Sequence, residues 1–305
     1  MTPVPLDLTG DPRRHRRERI MKTIFWTSAA VSIVVSGSIV LSLVGRAVAF
    51  FTQVDATALF EIGWFPRRGL YDLLTPLAGT LIVALLAMLV AVPLGLGAAI
   101  YLAEFARPRV RRWLKPIIEV LAGIPSVVLG FFALTWISPN LVQRVFADAG
   151  VFSMLAASIG VGVLVTPLVA SVSEDALRSV PNSLREASFG LGARRSTTVR
   201  KVVFPAAISG IVASIILGLS RAIGETMVMF MAGGAVGGGL RQFNPINPGT
   251  TMTAAIASVA TGSDQVAGEG LTFESVFAIG LMLFVVTLGL NWISNRFVRR
   301  IRETY

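Results

Sequence analysis

A chain of 305 residues that is 54% hydrophobic and only 14% charged, with a mean hydropathy of +0.73, is not an ordinary soluble domain, where nearer a quarter of the residues carry charge. Cysteine is absent and the single histidine, His15, lies in a basic tail, so disulfides, thiol catalysis and Cys- or His-based metal sites are excluded. The net charge of +10 raises nucleic acid as a partner, but its distribution along the chain points elsewhere.

Residues 1–22 form a polar tail carrying Arg13, Arg14, Arg16, Arg17, Arg19 and Lys22. The first apolar run covers about 23–51, broken only by Arg46. Its Ala47-Val48-Ala49 looks like a signal-peptidase site, but the run is nearly twice the length of a signal h-region, so it predicts an uncleaved membrane helix. A mixed loop, 52–72, leads to a charge-free run at about 76–103, which contains Pro93. Residues 104–115 are strongly basic. A third run lies at about 116–137, with Glu119 near its start, then a short polar loop and a fourth run at about 151–172. The longest polar stretch, 173–201, precedes a fifth run at about 202–231. A glycine-rich loop extends to about 272, a sixth run spans about 273–295, and a basic tail closes the chain. Each run reaches the roughly 20 residues needed to cross a hydrocarbon core of about 30 Å. The expectation is an all-α integral membrane protein with six transmembrane helices.

Both tails and the two basic loops fall on one side of such a bundle and hold 21 of the 27 Lys and Arg. The opposite loops hold Arg46, Arg67, Arg68, Arg144 and Arg241. This asymmetry predicts cytoplasmic termini and accounts for the charge through membrane topology, with lipid as the surroundings and no nucleic acid. All five tryptophans lie near run ends, as an interfacial belt requires.

No G-x-x-x-x-G-K-[ST] occurs, so this chain has no P-loop for ATP, and no catalytic constellation is visible. The strongest anomaly is the segment Ser220-Arg221-Ala222-Ile223-Gly224-Glu225-Thr226 inside the fifth run. Arg221 and Glu225 share a helical face, and a charge at membrane depth costs at least about 2.5 kcal/mol. Two readings stand: a path for a charged solute with Arg221 as anion contact, or an intrahelical ion pair that holds helices together. Gly123-Ile124-Pro125-Ser126 breaks the third run, where Ser126 either lines a cavity or sits just after a plain kink. Glu174 and Asp175 are expected in solvent or paired with nearby arginines.

The polar stretch contains Ser183-Leu184-Arg185-Glu186, an S-x-x-E capping box. It predicts a helix of about two turns over 184–189, ended by Gly190 or Gly192 in a left-handed conformation. The alternative is a solvated loop. Pro205 suits the first turn of the next helix.

Glu186-Ala187-Ser188, with Gly192 six residues after the glutamate and Val202-Val203-Phe204-Pro205 beyond, resembles the EAA loop of ABC-importer permeases. Serine replaces the second alanine, valine the isoleucine and phenylalanine the leucine of the usual pattern, with the spacing intact. Within that superfamily, Leu121 to Val128, Ser173 to Pro181, Ser183 to Glu186 and Arg221 to Thr226 look like the phosphate-specific transport (Pst) permeases. Ser173 to Arg178 and Thr251-Met252-Thr253-Ala254 fit the PstC type better than the PstA type. The resemblance covers about residues 73–297.

The resemblance implies a type I ABC-importer permease fold with a coupling loop at 173–201. It implies one of two membrane subunits in an importer of inorganic phosphate, in a bacterial cytoplasmic membrane. The partners would be a companion permease, an ATPase dimer and an extracytoplasmic phosphate-binding protein. No cofactor is expected in this chain, with ATP and Mg on the ATPase, and the chain itself is not an enzyme. Ser183, Arg185, Glu186, Ala187, Ser188, Gly190 and Gly192 would couple to the ATPase. Arg221, Glu225, Thr226 and Ser126 would border the anion path. The rivals are a permease for sulfate or molybdate and an autonomous channel or secondary carrier.

Overall fold

The computed structural model describes residues 12–61, 63–234, 239–262 and 271–302. Residues 1–11 of the basic tail, Gly237 and Gly238 of the glycine-rich loop, and residues 303–305 lie outside them. Six helical segments are long and apolar enough to cross a bilayer: Arg16–Gln53, Leu74–Phe105, Ser126–Val145, Met154–Arg178, Arg195–Ile223 and Thr272–Ser294. Helices suit this role because each satisfies its own backbone polar groups where water is absent.

Helix α1 (Pro12–Gln53) begins well before the expected apolar boundary. Pro12 is tolerated at a first helical position and no further proline or glycine occurs until Gly37, so the helix extends into the basic tail. A two-residue hairpin, β1 (Trp64–Phe65) and β2 (Leu70–Tyr71), is a small exception to the all-α expectation. Helix α2 (Leu74–Ile100) carries Pro93 internally and continues through one π-helical stretch, Tyr101–Phe105.

The third run divides. Helix α3 (Pro108–Ala122) starts earlier than the boundary near 116, within the basic stretch, again with proline in its first turn. Gly123-Ile124-Pro125 ends it, because Pro125 lacks an N–H and holds Ile124 away from the helical region. Helix α4 (Ser126–Phe132) restarts the chain and runs on through the π-helical stretch Ala133–Val142. Helix α5 (Met154–Arg178) begins on Ser153, whose hydroxyl accepts from the Ala156 amide at 3.1 Å. Helix α6 (Asn182–Gly190) is the short helix expected in the polar stretch.

Helix α7 (Phe204–Ile223) is shorter than the fifth run. It stops at Gly224, and α8 (Met227–Ala232) restarts after a break. Helix α9 (Met252–Ala260) and α10 (Thr272–Arg302) complete the described chain.

The core is centred on α5, whose Ala156, Ala157, Val161, Val165 and Val169 are all buried. It is clasped by α2 and α7. Close approach needs Gly162, where an added Cβ would fall 2.7 Å from the Val90 Cβ and 2.9 Å from the Ala87 carbonyl oxygen. Helix α1 stands apart. Only its last turns are seated, with Ala47 and Phe50 buried against α10 and the hairpin, and Arg46 lies over the Phe277 ring at 4.9 Å.

Both basic loops meet at one end of the bundle, where Arg111 of α3 reaches Glu174 of α5 and Arg185 of α6 reaches Glu104. At the opposite end the hairpin joins the loop after α8: Trp64 and Gly239 exchange backbone hydrogen bonds of 2.8 and 3.0 Å.

Candidate functional site

Two places bring the singled-out residues together, one at membrane depth and one at the basic end. The first is the break between α7 and α8. Gly224 ends α7, and the residue after it caps the start of α8. The buried Glu225 carboxylate accepts from the Met227 and Val228 amides at 3.1 and 3.3 Å. This satisfies amides that a new helix start leaves without partners, and it sets negative charge at the positive end of α8. The Glu225 carbonyl accepts from the Thr253 hydroxyl at 2.8 Å, which ties the break to α9.

Arg221 lies one turn earlier on the same face. Its guanidinium is 3.7 Å from the second Glu225 oxygen, a loose pair in which the arginine side chain is 52% exposed and the glutamate 3%. The two charges therefore have different jobs within the fold. Glu225 is held by backbone, while Arg221 is displayed on the outer face of the chain. The hydroxyl of Thr226, half-buried, makes a long contact of 3.4 Å to the Gly224 carbonyl. Ser126 opens α4, which packs on α8 with Gly130 against the Met227 backbone. Among the described residues Ser126 has no hydrogen bond to Arg221, Glu225 or Thr226. The structure gathers three of the four membrane-depth residues and leaves Ser126 one helical turn below the contact.

The second place is α6 with its flanks. The capping box does not form: the residue before the helix is Pro181, with no side-chain cap, and Ser183 already lies inside the first turn. Proline at this position sets an extended entry, and the helix begins two residues too early for the serine to cap it. The C-terminal expectation holds at Gly192, which has φ of +75°, whereas Gly190 is the last helical residue. The Ala193 amide reaches the Ser188 carbonyl at 3.1 Å and the Gly192 amide the Phe189 carbonyl at 2.9 Å, the two bonds of a Schellman end.

No residue of α6 is buried. Ser183, Glu186, Ala187 and Gly190 are exposed, and so are the apolar Leu184, Phe189 and Leu191, the last at 88%. Two side chains face inward. Arg185 donates to Glu104 at 2.7 Å and to the Leu177 carbonyl at 2.8 Å, and Ser188 meets the buried Thr198 hydroxyl at 2.9 Å. A cavity of about 690 Å³ lies beside this helix, lined by Glu104, Arg111, Arg112, Lys115, Glu119, Arg178, Arg185 and Arg195 among others.

Three charged groups are buried and paired at the two ends of the bundle. Glu104 is buried at the end of an apolar run. Glu174 is buried too and is paired rather than solvated, the second of its two expectations, taking Arg111 at 2.6 Å and Lys115 at 3.5 Å. Asp72, at the opposite end, pairs with Arg241 at 2.7 Å and accepts from the Thr75 hydroxyl and the Gly63 and Leu74 amides. The one signal for Glu104 is an acid directly after a membrane-length run.

Burial pushes the Asp72 carboxyl up, but the Arg241 guanidinium, Thr75 and the two amides outweigh it and hold the group below the ordinary carboxylate value. A lowered folded value adds stability that is complete above the unfolded value of about 3.9 and is lost as pH falls through the folded one. In detergent, Asp72→Asn is therefore expected to melt earlier than the wild type at pH 7. The gap between the two melting temperatures should begin to narrow below about pH 4 and close as pH falls through the lower folded value. A gap independent of pH would assign the loss to packing.

The chain is similar to several known proteins. The chain is 34% identical over 244 residues to the probable ABC transporter permease protein YqgH of Bacillus subtilis, covering 78% of this chain and 77% of that one. It is 33% identical over 286 residues to the phosphate transport system permease protein PstC of Pasteurella multocida, covering 87% of each. Among solved structures, a bacterial alginate ABC transporter in complex with an alginate-bound periplasmic protein superposes with a TM-score of 0.66 at 16% identity. That match covers 95% of this chain and 97% of the other, and it shows the shared type I importer permease fold. Residues 91–303 match the family described as binding-protein-dependent transport system inner membrane component, and the chain belongs to that family.

Proposed function

We propose that this chain is the membrane permease subunit of an ATP-driven importer that carries inorganic phosphate into the cytoplasm. The observation that carries the substrate is the 33% identity, over 87% of the chain, to a protein named as a phosphate transport permease. The site supports it. Phosphate carries one or two negative charges near neutral pH, and a wholly apolar lining would not admit it. Arg221 is a cation displayed at membrane depth beside a carboxylate that the backbone already holds.

In this reading the basic end faces the cytoplasm, as the asymmetry of Lys and Arg supports. A companion permease completes the path against the exposed face of Arg221. An external phosphate-binding protein delivers the solute, and an ATPase dimer, carrying ATP and Mg, grips α6 through Glu186 and the exposed Leu184, Phe189 and Leu191. Ser183, Ala187 and Gly190 lie on the same surface, and Gly192 fixes how α6 ends. A short helix with a defined end is stiff enough to convert closure of the ATPase into a tilt of the bundle.

The test is uptake of radiolabelled phosphate by the reconstituted complex in the presence of excess sulfate or molybdate. Uptake unaffected by either anion supports phosphate. Competition by sulfate or molybdate at concentrations comparable to phosphate would reassign the solute.

A further inference from the structure

Helix α6 buries none of its residues, so no apolar seat joins it to the membrane body. On one flank lies the cavity of about 690 Å³, so packing does not close the gap to α3. The remaining attachment is polar, and most of it runs through one side chain. Arg185 donates to Glu104 through Nη2 at 2.7 Å and Nε at 3.3 Å, to the Leu177 and Val180 carbonyls at 2.8 and 2.5 Å, and to the Asn182 side chain at 3.3 Å. Its side chain is 14% exposed and that of Glu104 7%. Charge-assisted bonds in such a site are strong, directional and poorly screened.

We propose that Glu104 and Arg185 are the positioning residues that transmit movement of α6 to the membrane helices. The proposal rests on the reading of α6 as the ATPase-gripped lever and names where its pull arrives. Glu104 sits in the π-helical end of α2, and Leu177 and Val180 belong to the end of α5 and the turn after it. One guanidinium therefore holds two membrane helices. From α5 the pull passes on to α3, because Glu174 takes Arg111 at 2.6 Å and Lys115 at 3.5 Å. The Leu177 carbonyl is one that the ending of α5 leaves without a helical partner, so the same contact also caps that helix. Arg185 thus faces the body, while Glu186 beside it faces outward: one grips the bundle and the other is free for a partner.

The experiment uses the whole complex in proteoliposomes and reads phosphate moved per ATP hydrolysed. Glu104→Gln keeps the shape and removes the charge. The expected result is a fall in that ratio of at least about fivefold, the order of one lost charge-assisted bond, with Glu104→Asp intermediate. An unchanged ratio in Glu104→Gln overturns the proposal. Should Glu104→Gln fail to assemble, the pair Glu104→Cys with Arg185→Cys decides, since no other thiol exists in this chain. Bridging the two thiols with a short bis-thiosulfonate, which joins each sulfur through a disulfide with loss of sulfinate, should restore the ratio, and reduction of those disulfides should lower it again. A bridged complex that assembles but stays uncoupled overturns the proposal. Glu186→Ala is measured alongside. If it remains fully coupled, the lever reading itself fails and takes this proposal with it. If it uncouples while Glu104→Gln does not, only the tether is wrong.

Discussion

Arg221→Gln is expected to reduce phosphate uptake by about 100-fold while the complex with its companion permease and ATPase still assembles. The size comes from losing one charged contact to an anion, worth up to about 3 kcal/mol. Assembly should survive because of how the pair is built. The Arg221 guanidinium is half exposed and 3.7 Å from its partner, whereas Glu225 is held by two backbone amides that the substitution leaves in place. Removing the cation takes away the counter-charge of the buried Glu225 but leaves its two amide donors, which limits the cost that breaking a buried ion pair usually carries. Glu225→Gln is the informative contrast. It weakens the cap on α8 and should lower the yield of assembled complex before it affects specificity. Uptake and co-purification, measured on both variants, separate the roles. An Arg221→Gln chain that no longer assembles would make the pair structural.

Gly192→Ala and Glu186→Ala should both leave insertion intact and uncouple ATP hydrolysis from uptake, by different routes. Gly192 has φ of +75°, and an alanine there is strained by roughly 1–2 kcal/mol. The Schellman end would rearrange, and the exposed tip from Phe189 to Leu191 would point elsewhere. Glu186 is exposed and has no ion pair or hydrogen bond among the described residues, so its loss should not change the stability of this chain. Uptake should fall about tenfold, as for the loss of one charged contact across an interface. The check is hydrolysis and uptake measured together. Wild-type uptake in Glu186→Ala would remove the coupling role from this face.

Much of the architecture is legible in the sequence because a bilayer enforces a simple rule: long apolar runs must be helices. The six crossings come from that rule, and the bend at Pro125 is visible as a break in the third run, whereas the stop at Gly224 falls inside a fifth run that reads as continuous. The helix ends are less legible. Helix α1 runs into the basic tail because cations do not stop a helix, and α3 begins at Pro108 because proline suits a helix start, both of which hydropathy ignores. The capping box at Ser183 misleads for a related reason: Pro181 already fixes the entry of α6, so the serine falls inside the helix. The site divides in the same way. Arg221 and Glu225 stand out by charge in an apolar segment, yet only the geometry separates the displayed arginine from the backbone-held glutamate. Glu104 with Arg185 and Asp72 with Arg241 join residues 81 and 169 apart in sequence, and no local pattern announces such a pairing.

This membrane body should move solute only when α6 is worked by another protein. The most direct measurement is phosphate flux into sealed proteoliposomes holding the purified chain with its companion permease, first without and then with the ATPase, ATP and the binding protein. No flux above empty vesicles is expected in the first case, and ATP-dependent accumulation in the second. Flux through the permeases alone, with no nucleotide, would contradict the lever role of α6.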